Sequence, residues 1–136
     1  MSGRSRYERR EATDVVAVRL DLDTDGFTYR KWGAEQSCKR GDWLVDNAGD
    51  VYTVDADSFA RTYARVSPGL YRKTAPVWAE QATSDGEVKT KEGATHYQRG
   101  DWLVFNTADG TDGYAMDDET FRRLYRKAGD EADATR

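Results

Sequence analysis

The chain has 136 residues, 38% hydrophobic, 12% aromatic and 34% charged, with a net charge of −4. That length allows one ordinary domain, or two very small units packed together. The acidic balance argues against a generic DNA-backbone binder, the single cysteine against an internal disulfide or cysteine-based zinc site, and no run of about 18 apolar residues is present to span a membrane.

Residues 1–13 set Arg4, Arg6, Arg9 and Arg10 against Glu8 and Glu11, with no apolar stretch. This composition predicts a disordered arm without a signal peptide, and hence a cytoplasmic protein. Val15 to Leu20 is β-branched and alternating, and Val77 to Gln81 is its counterpart. Asp25-Gly26 and Asp85-Gly86 follow, a pair suited to tight hairpins. Phe27 to Trp32 and Glu87 to Lys91 read as the next strands. Gly41-Asp42-Trp43-Leu44-Val45 then recurs letter for letter as Gly100-Asp101-Trp102-Leu103-Val104. Turns at Asn47 to Asp50 and Asn106 to Gly113 lead into return strands, Val51 to Val54 and Tyr114 to Met116.

At Asp55 and at Asp117 the period changes. Phe59 and Tyr63, like Phe121 and Tyr125, stand four apart on one predicted helix face, with acidic residues first and arginines last. The chain is thus one unit of about 60 residues written twice. The predicted fold is α+β: two tandem ββββα units related by pseudo-two-fold symmetry, small sheets or half-barrels sharing one core. The units cover 14–66 and 77–127, a Pro/Gly-containing linker covers 67–76, and 128–136 is a disordered tail.

The second unit carries a family likeness. Pro76-Val77-Trp78-Ala79-Glu80-Gln81 is followed by Thr90-Lys91-Glu92-Gly93, by Gly100-Asp101-Trp102 and by a closing Phe121 and Tyr125. This order resembles the PGDYG-like proteins, small bacterial and phage proteins, over residues 76–125. The first unit resembles a diverged copy, with Tyr29-Arg30-Lys31-Trp32-Gly33 in place of Thr-x-Glu-Gly. The resemblance implies a fold and a phage-related setting, and no catalytic residues.

The chemistry-bearing residues divide in the same way. Gly-Asp-Trp reads as turn, turn acceptor and core ring. His96 lacks a second histidine or cysteine partner for a metal. Cations at Lys39 and Arg40 would lower the pKa of Cys38, yet no base stands near it in sequence. Aromatic and cationic residues interleave at Tyr29, Arg30, Lys31 and Trp32, opposite Lys91 and Glu92, a pattern that can stack a base and contact phosphate. These six are the predicted ligand-binding residues, with no catalytic residue, metal or cofactor. The expectation is a non-enzymatic binding module that captures a small anionic ligand such as a nucleotide at the cleft between repeats. The alternative is a structural or protein-interaction accessory. A protein partner or a homo-oligomer is compatible with either; a membrane or nucleic-acid partner is not expected.

Overall fold

Period-two burial governs most of this chain. The computed structural model describes residues 4–11 and 13–128. In order, the strands are β1 (Ser5–Arg9), β2 (Val15–Arg19), β3 (Phe27–Lys31), β4 (Ala34–Cys38), β5 (Trp43–Asn47) and β6 (Asp50–Val54). Helix α1 (Ala56–Thr62) leads to β7 (Tyr63–Ser67), β8 (Leu70–Lys73), β9 (Val77–Gln81), β10 (Gly86–Lys89), β11 (Ala94–Tyr97), β12 (Trp102–Phe105) and β13 (Gly113–Met116). Helix α2 (Asp118–Leu124) and β14 (Tyr125–Lys127) close the series.

The strands form two five-stranded antiparallel sheets, ordered β6-β5-β2-β8-β7 and β13-β12-β9-β1-β14, and two hairpins, β3-β4 and β10-β11. Strand by strand the two sheet orders correspond, with β1 in the place that β8 takes in the other sheet. The protein is mostly β, 52% strand and 11% helix, which overturns the expected α+β fold of ββββα units.

Three local facts produce the difference. Each helix is only seven residues long and ends before its tyrosine: Tyr63 and Tyr125 are already extended, with φ −118° and −127°. The expected linker 67–76 contains β8, joined to β7 through Pro68-Gly69. The expected arm 1–13 contains β1, which pairs with both β9 and β14. Its charge hid an alternation in which Tyr7 packs edge-on against Trp102 and Phe121 at 5.5 and 4.9 Å. The predicted tail lies outside the described residues apart from Ala128. The tight hairpin also sits elsewhere than Asp25-Gly26. Trp32-Gly33, with φ 57° and 80°, turns β3 into β4, the type I′ signature.

The predicted single core is two clusters, one per sheet. Val15, Ala17, Val45 and Phe59 form one; Val77, Ala79, Trp102, Val104, Phe121, Leu124 and Tyr125 form the other. In each, a strand tryptophan, a helix phenylalanine and the following tyrosine stack in series. Trp43–Phe59 and Trp102–Phe121 both lie at 4.1 Å and 10°. Phe59–Tyr63 continues at 4.5 Å, and Phe121–Tyr125 at 5.3 Å. The repeated Gly-Asp-Trp positions this stack. Asp42 and Asp101 accept from the backbone N–H groups of Lys39 and Gln98, tightening the turn that precedes the tryptophan. Asp55 and Asp117 cap the two helices, accepting from Ser58 N and Thr120 N.

Truncating Phe121 to Ala removes the centre of one stack and is expected to destabilise the protein by roughly 3–5 kcal/mol in chemical denaturation. Tyr7→Ala, in a segment whose composition reads as a loose arm, is expected to lower stability by about 2 kcal/mol. A loss under ~0.5 kcal/mol would place Tyr7 outside the core.

Candidate functional site

The two units meet through their hairpins. Strand β4 meets the turn before β11 through a Gln36–Gly93 bridge, and His96 N donates to Trp32 O at 2.9 Å. The buried Gln36 side chain donates from Nε2 to Lys31 O and Ala94 O, at 2.9 and 2.5 Å, so one amide ties the two hairpins. Gly93 is required here because a Cβ would run into the Glu35 carbonyl oxygen.

Behind these hairpins the seam encloses a cavity of about 120 Å3, lined by both units. Its walls are built from matched pairs. Tyr63 and Tyr125 end the aromatic stacks, Tyr52 and Tyr114 come from β6 and β13, and Asn47 and Asn106 from β5 and the end of β12. The cations match as well. Lys73 faces Tyr63 in the β7-β8 register, and Arg9 faces Tyr125 in the β14-β1 register. Strand β1 therefore delivers to the seam the equivalent of the lysine on β8.

The two cations are held differently. Lys73 is 5% exposed; its Nζ donates to Asn106 Oδ1 at 2.9 Å and Tyr114 OH at 2.8 Å. Asn106 is oriented by its own Nδ2, which donates to Asp112 Oδ2 at 3.0 Å. Burial lowers the Lys73 ammonium from its ordinary 10.5 to about 8, and Arg9 pushes in the same direction. Arg9 lies over the Tyr125 ring, 5.4 Å from its centroid. Its Nε and Nη1 are shut off from solvent and have no hydrogen-bond partner among the described residues, while the guanidinium keeps a hydrogen bond with Tyr63; burial works against its charge, but Tyr125, Tyr63 and Tyr52 raise its pKa above the ordinary arginine value. Such groups are uncommon, and each calls for an explanation. Burial raises the phenols of Tyr52 and Tyr114 well above their ordinary 10, so both stay protonated donors at neutral pH.

The hairpin side of the cavity is acidic. Glu92 Oε2 accepts from Asp55 N at 2.7 Å. Burial raises its carboxyl from 4.5 to about 7, overriding that hydrogen bond, and Asp55 and Asp112 add to the rise. Asp112 accepts from Ser58 Oγ at 2.7 Å and has a positive φ of 55°. Trp32, at φ 57°, is the other left-handed residue of the lining; its ring stands 5.9 Å from Tyr52. The Trp32 conformation is the one its type I′ turn requires.

Of the six predicted ligand-binding residues, the cavity brings together Trp32 and Glu92. Tyr29 is fixed to Thr53, its hydroxyl 2.6 Å from Thr53 Oγ1. Arg30 is exposed. Lys31 pairs with Asp50 at 3.0 Å, and Lys91 with Asp55 at 3.3 Å. The sequence reading passed over Arg9, Lys73, Tyr114 and Asn106. The repeat aligned Asn47 with Asn106 and Tyr52 with Tyr114, and that was the available signal. Arg9 and Lys73 gave none, since they lie in the segments read as arm and linker.

The remaining candidates are structural. Cys38 is buried, and burial raises its thiol pKa, opposite to the lowering expected from Lys39 and Arg40. His96 Nε2 pairs with Glu87 at 2.7 Å on the surface. Among the described residues no group of three or more His, Cys, Asp or Glu side chains is placed to hold a metal ion. No helix is long and apolar enough to cross a membrane.

Comparison of the chain with protein-family models, curated proteins and solved structures finds no match. The likeness to the PGDYG-like proteins therefore rests on its motifs alone.

The raised Glu92 carboxyl makes stability depend on pH. The folded chain holds this proton more tightly than the unfolded one, so its contribution is full below pH about 4.5 and lost as pH rises through about 7. Asp55, lowered to about 2, acts oppositely and only in stronger acid. Glu92→Gln is expected to flatten the decline between those pH values, about 3 kcal/mol of unfolding free energy in chemical denaturation. An unchanged slope in the variant would assign the decline to another group.

Proposed function

We propose that the protein is a binding module whose seam cavity takes a small anionic ligand, such as a nucleotide or another phosphorylated or carboxylated metabolite. The observation that carries this reading is Arg9, a cation in the cavity wall whose Nε and Nη1 lack protein partners. No carboxylate of the wall pairs with Arg9 among the described residues, and a buried cation with unmet donors is destabilising unless something supplies acceptors and counter-charge. An anion does so, and charge-assisted hydrogen bonds to guanidinium are the strong kind. Lys73 stands at the matching position, and protonated tyrosines add neutral donors. Trp32, 37% exposed beside the cavity, offers a flat face on which a base can stack outside the enclosed part. A cytoplasmic, phage-related setting belongs to the same proposal.

A second reading has one observation in its favour. On the outer face of the first sheet Val16, Val18 and Val51 are 57%, 62% and 52% exposed, which suits a protein-docking accessory.

Thermal-shift and calorimetric titration against nucleotides, inorganic phosphate and small carboxylates separates the two. A ligand of the cavity raises the melting temperature. Arg9→Gln is then expected to weaken that ligand by about 1.5–3 kcal/mol while the far-UV spectrum stays unchanged. Equal affinity in the variant would move the site elsewhere. No stabilisation by any anion would favour the docking reading.

A further inference from the structure

We propose that Lys73 is a covalent capture site for small anionic carbonyl compounds, a 2-oxo acid or an anionic aldehyde, which it binds as an imine while Arg9 holds their carboxylate. The proposal rests on the anion-binding reading of the cavity and adds a bond to it.

The geometry around Nζ carries the argument. Both of its hydrogen-bond partners are neutral oxygens, Asn106 Oδ1 and Tyr114 OH. This amine makes no ion pair among the described residues; Asp112 hydrogen-bonds Asn106 rather than Nζ, and what favours the ammonium is the field of Tyr63 and Asp112 and the rings of Tyr63, Tyr114 and Tyr125, 5.9, 5.2 and 5.9 Å from Nζ. A neutral amine fits this site well. It has two hydrogens, and two acceptors stand at 2.9 and 2.8 Å to take them, which leaves its lone pair for the cavity. Burial and the nearby Arg9 favour that neutral form, as they do for imine-forming lysines generally. The matched position in the other unit is arginine, which cannot lose its proton in a protein. The two units thus place one permanent cation and one potential nucleophile at equivalent points of a single cavity.

Size sets the class of substrate. A cavity of about 120 Å3 is somewhat smaller than one of roughly 150 Å3 that holds a benzene ring. A carbonyl acid of a few non-hydrogen atoms fits wholly inside; of a nucleotide or a large cofactor aldehyde only the charged end would enter.

The chemistry balances without an oxidant or reductant. The Lys73 lone pair attacks the carbonyl carbon, a C–N bond forms, and the carbonyl oxygen takes a proton. Tyr114 OH, beside Nζ and 3.2 Å from Tyr125 OH, is placed to carry that proton from nitrogen to oxygen. Loss of water then breaks the C–O bond, and both amine hydrogens leave in it.

The test uses the full chain with glyoxylate as the probe and cyanoborohydride, whose hydride fixes any imine as a stable amine. Peptide mapping by mass spectrometry reads carboxymethylation at each lysine. Lys73 is expected to react about tenfold faster than exposed Lys127, because a larger fraction of it is neutral at pH 7.5. Lys73→Arg should abolish the fast phase, and Arg9→Gln should slow it about tenfold, the loss expected on removing a charged hydrogen bond. Mapping in the unaltered chain suffices if Lys73→Arg does not fold. Labelling confined to exposed lysines would overturn the proposal. If glyoxylate raises the melting temperature while Lys73 stays unmodified, the imine falls and the anion site stands. If it does neither while other anions do stabilise the protein, only the imine falls; if no anion stabilises it, both fall.

Discussion

In each unit three rings lie in series, from the sheet through the helix to the seam. The helix is too short to be stable alone, so the stacked phenylalanine fixes it against the sheet. The tryptophan is set by the Gly-Asp turn before it. The tyrosine is the first residue after the helix, where the backbone is already extended. One continuous stack thus sets the packing of the core and the position of a phenol in the cavity wall. Because Tyr63 and Tyr125 also begin the strands that pair with β8 and β1, the same stack fixes where Lys73 and Arg9 emerge. Disturbing the core therefore moves the site.

Between the two apolar clusters the protein keeps a polar layer. Two cations, four phenols, two amides and the carboxylates of Asp50, Glu92 and Asp112 share it. Removing charged groups from water is expensive, and mutual attraction repays it only when geometry is good. The amides and phenols give Lys73 good geometry, whereas Arg9 has Tyr63 and the Tyr125 ring but keeps two nitrogens without partners among the described residues. A layer built only for stability would be better filled with apolar side chains. Its retention here fits a seam that recognises something.

The sequence disclosed the repetition and the stacked aromatic set through Gly41 to Val45 and its copy, because identical turns and rings recur at matched spacing. It disclosed the helix caps through Asp55 and Asp117. It concealed β1, β7 and β8. Strand β1 carries two arginines and a glutamate, which read as solvated chain, although Tyr7 and Arg9 share the face opposite Arg6 and Glu8. Strands β7 and β8 flank Pro68-Gly69, which read as a linker when it was a hairpin turn. The fold class changed with those three strands. At the site, Trp32 and Glu92 were legible as an aromatic and an acid at corresponding places in the repeat. Their neighbours Lys31 and Lys91 have the expected composition but turn to Asp50 and Asp55. Arg9 and Lys73 became visible only through strand register, since no sequence alignment of the two units pairs residue 9 with residue 73.

The place of β1 in its sheet has a further consequence during synthesis. Glu8 pairs with Arg126, 118 positions later, and Tyr7 with Val77. The first sheet draws all its strands from residues 15–73, so it can close while the rest of the chain is still being made. Throughout that time β1 is an unpaired edge, made first and paired last. Charge is what keeps such an edge from recruiting a wrong strand, and Arg6, Glu8, Arg9 and Arg10 supply it. Long-range pairing of this kind is slow. The second sheet, and with it the half of the cavity that Arg9 completes, cannot close until residues 125–127 have been made.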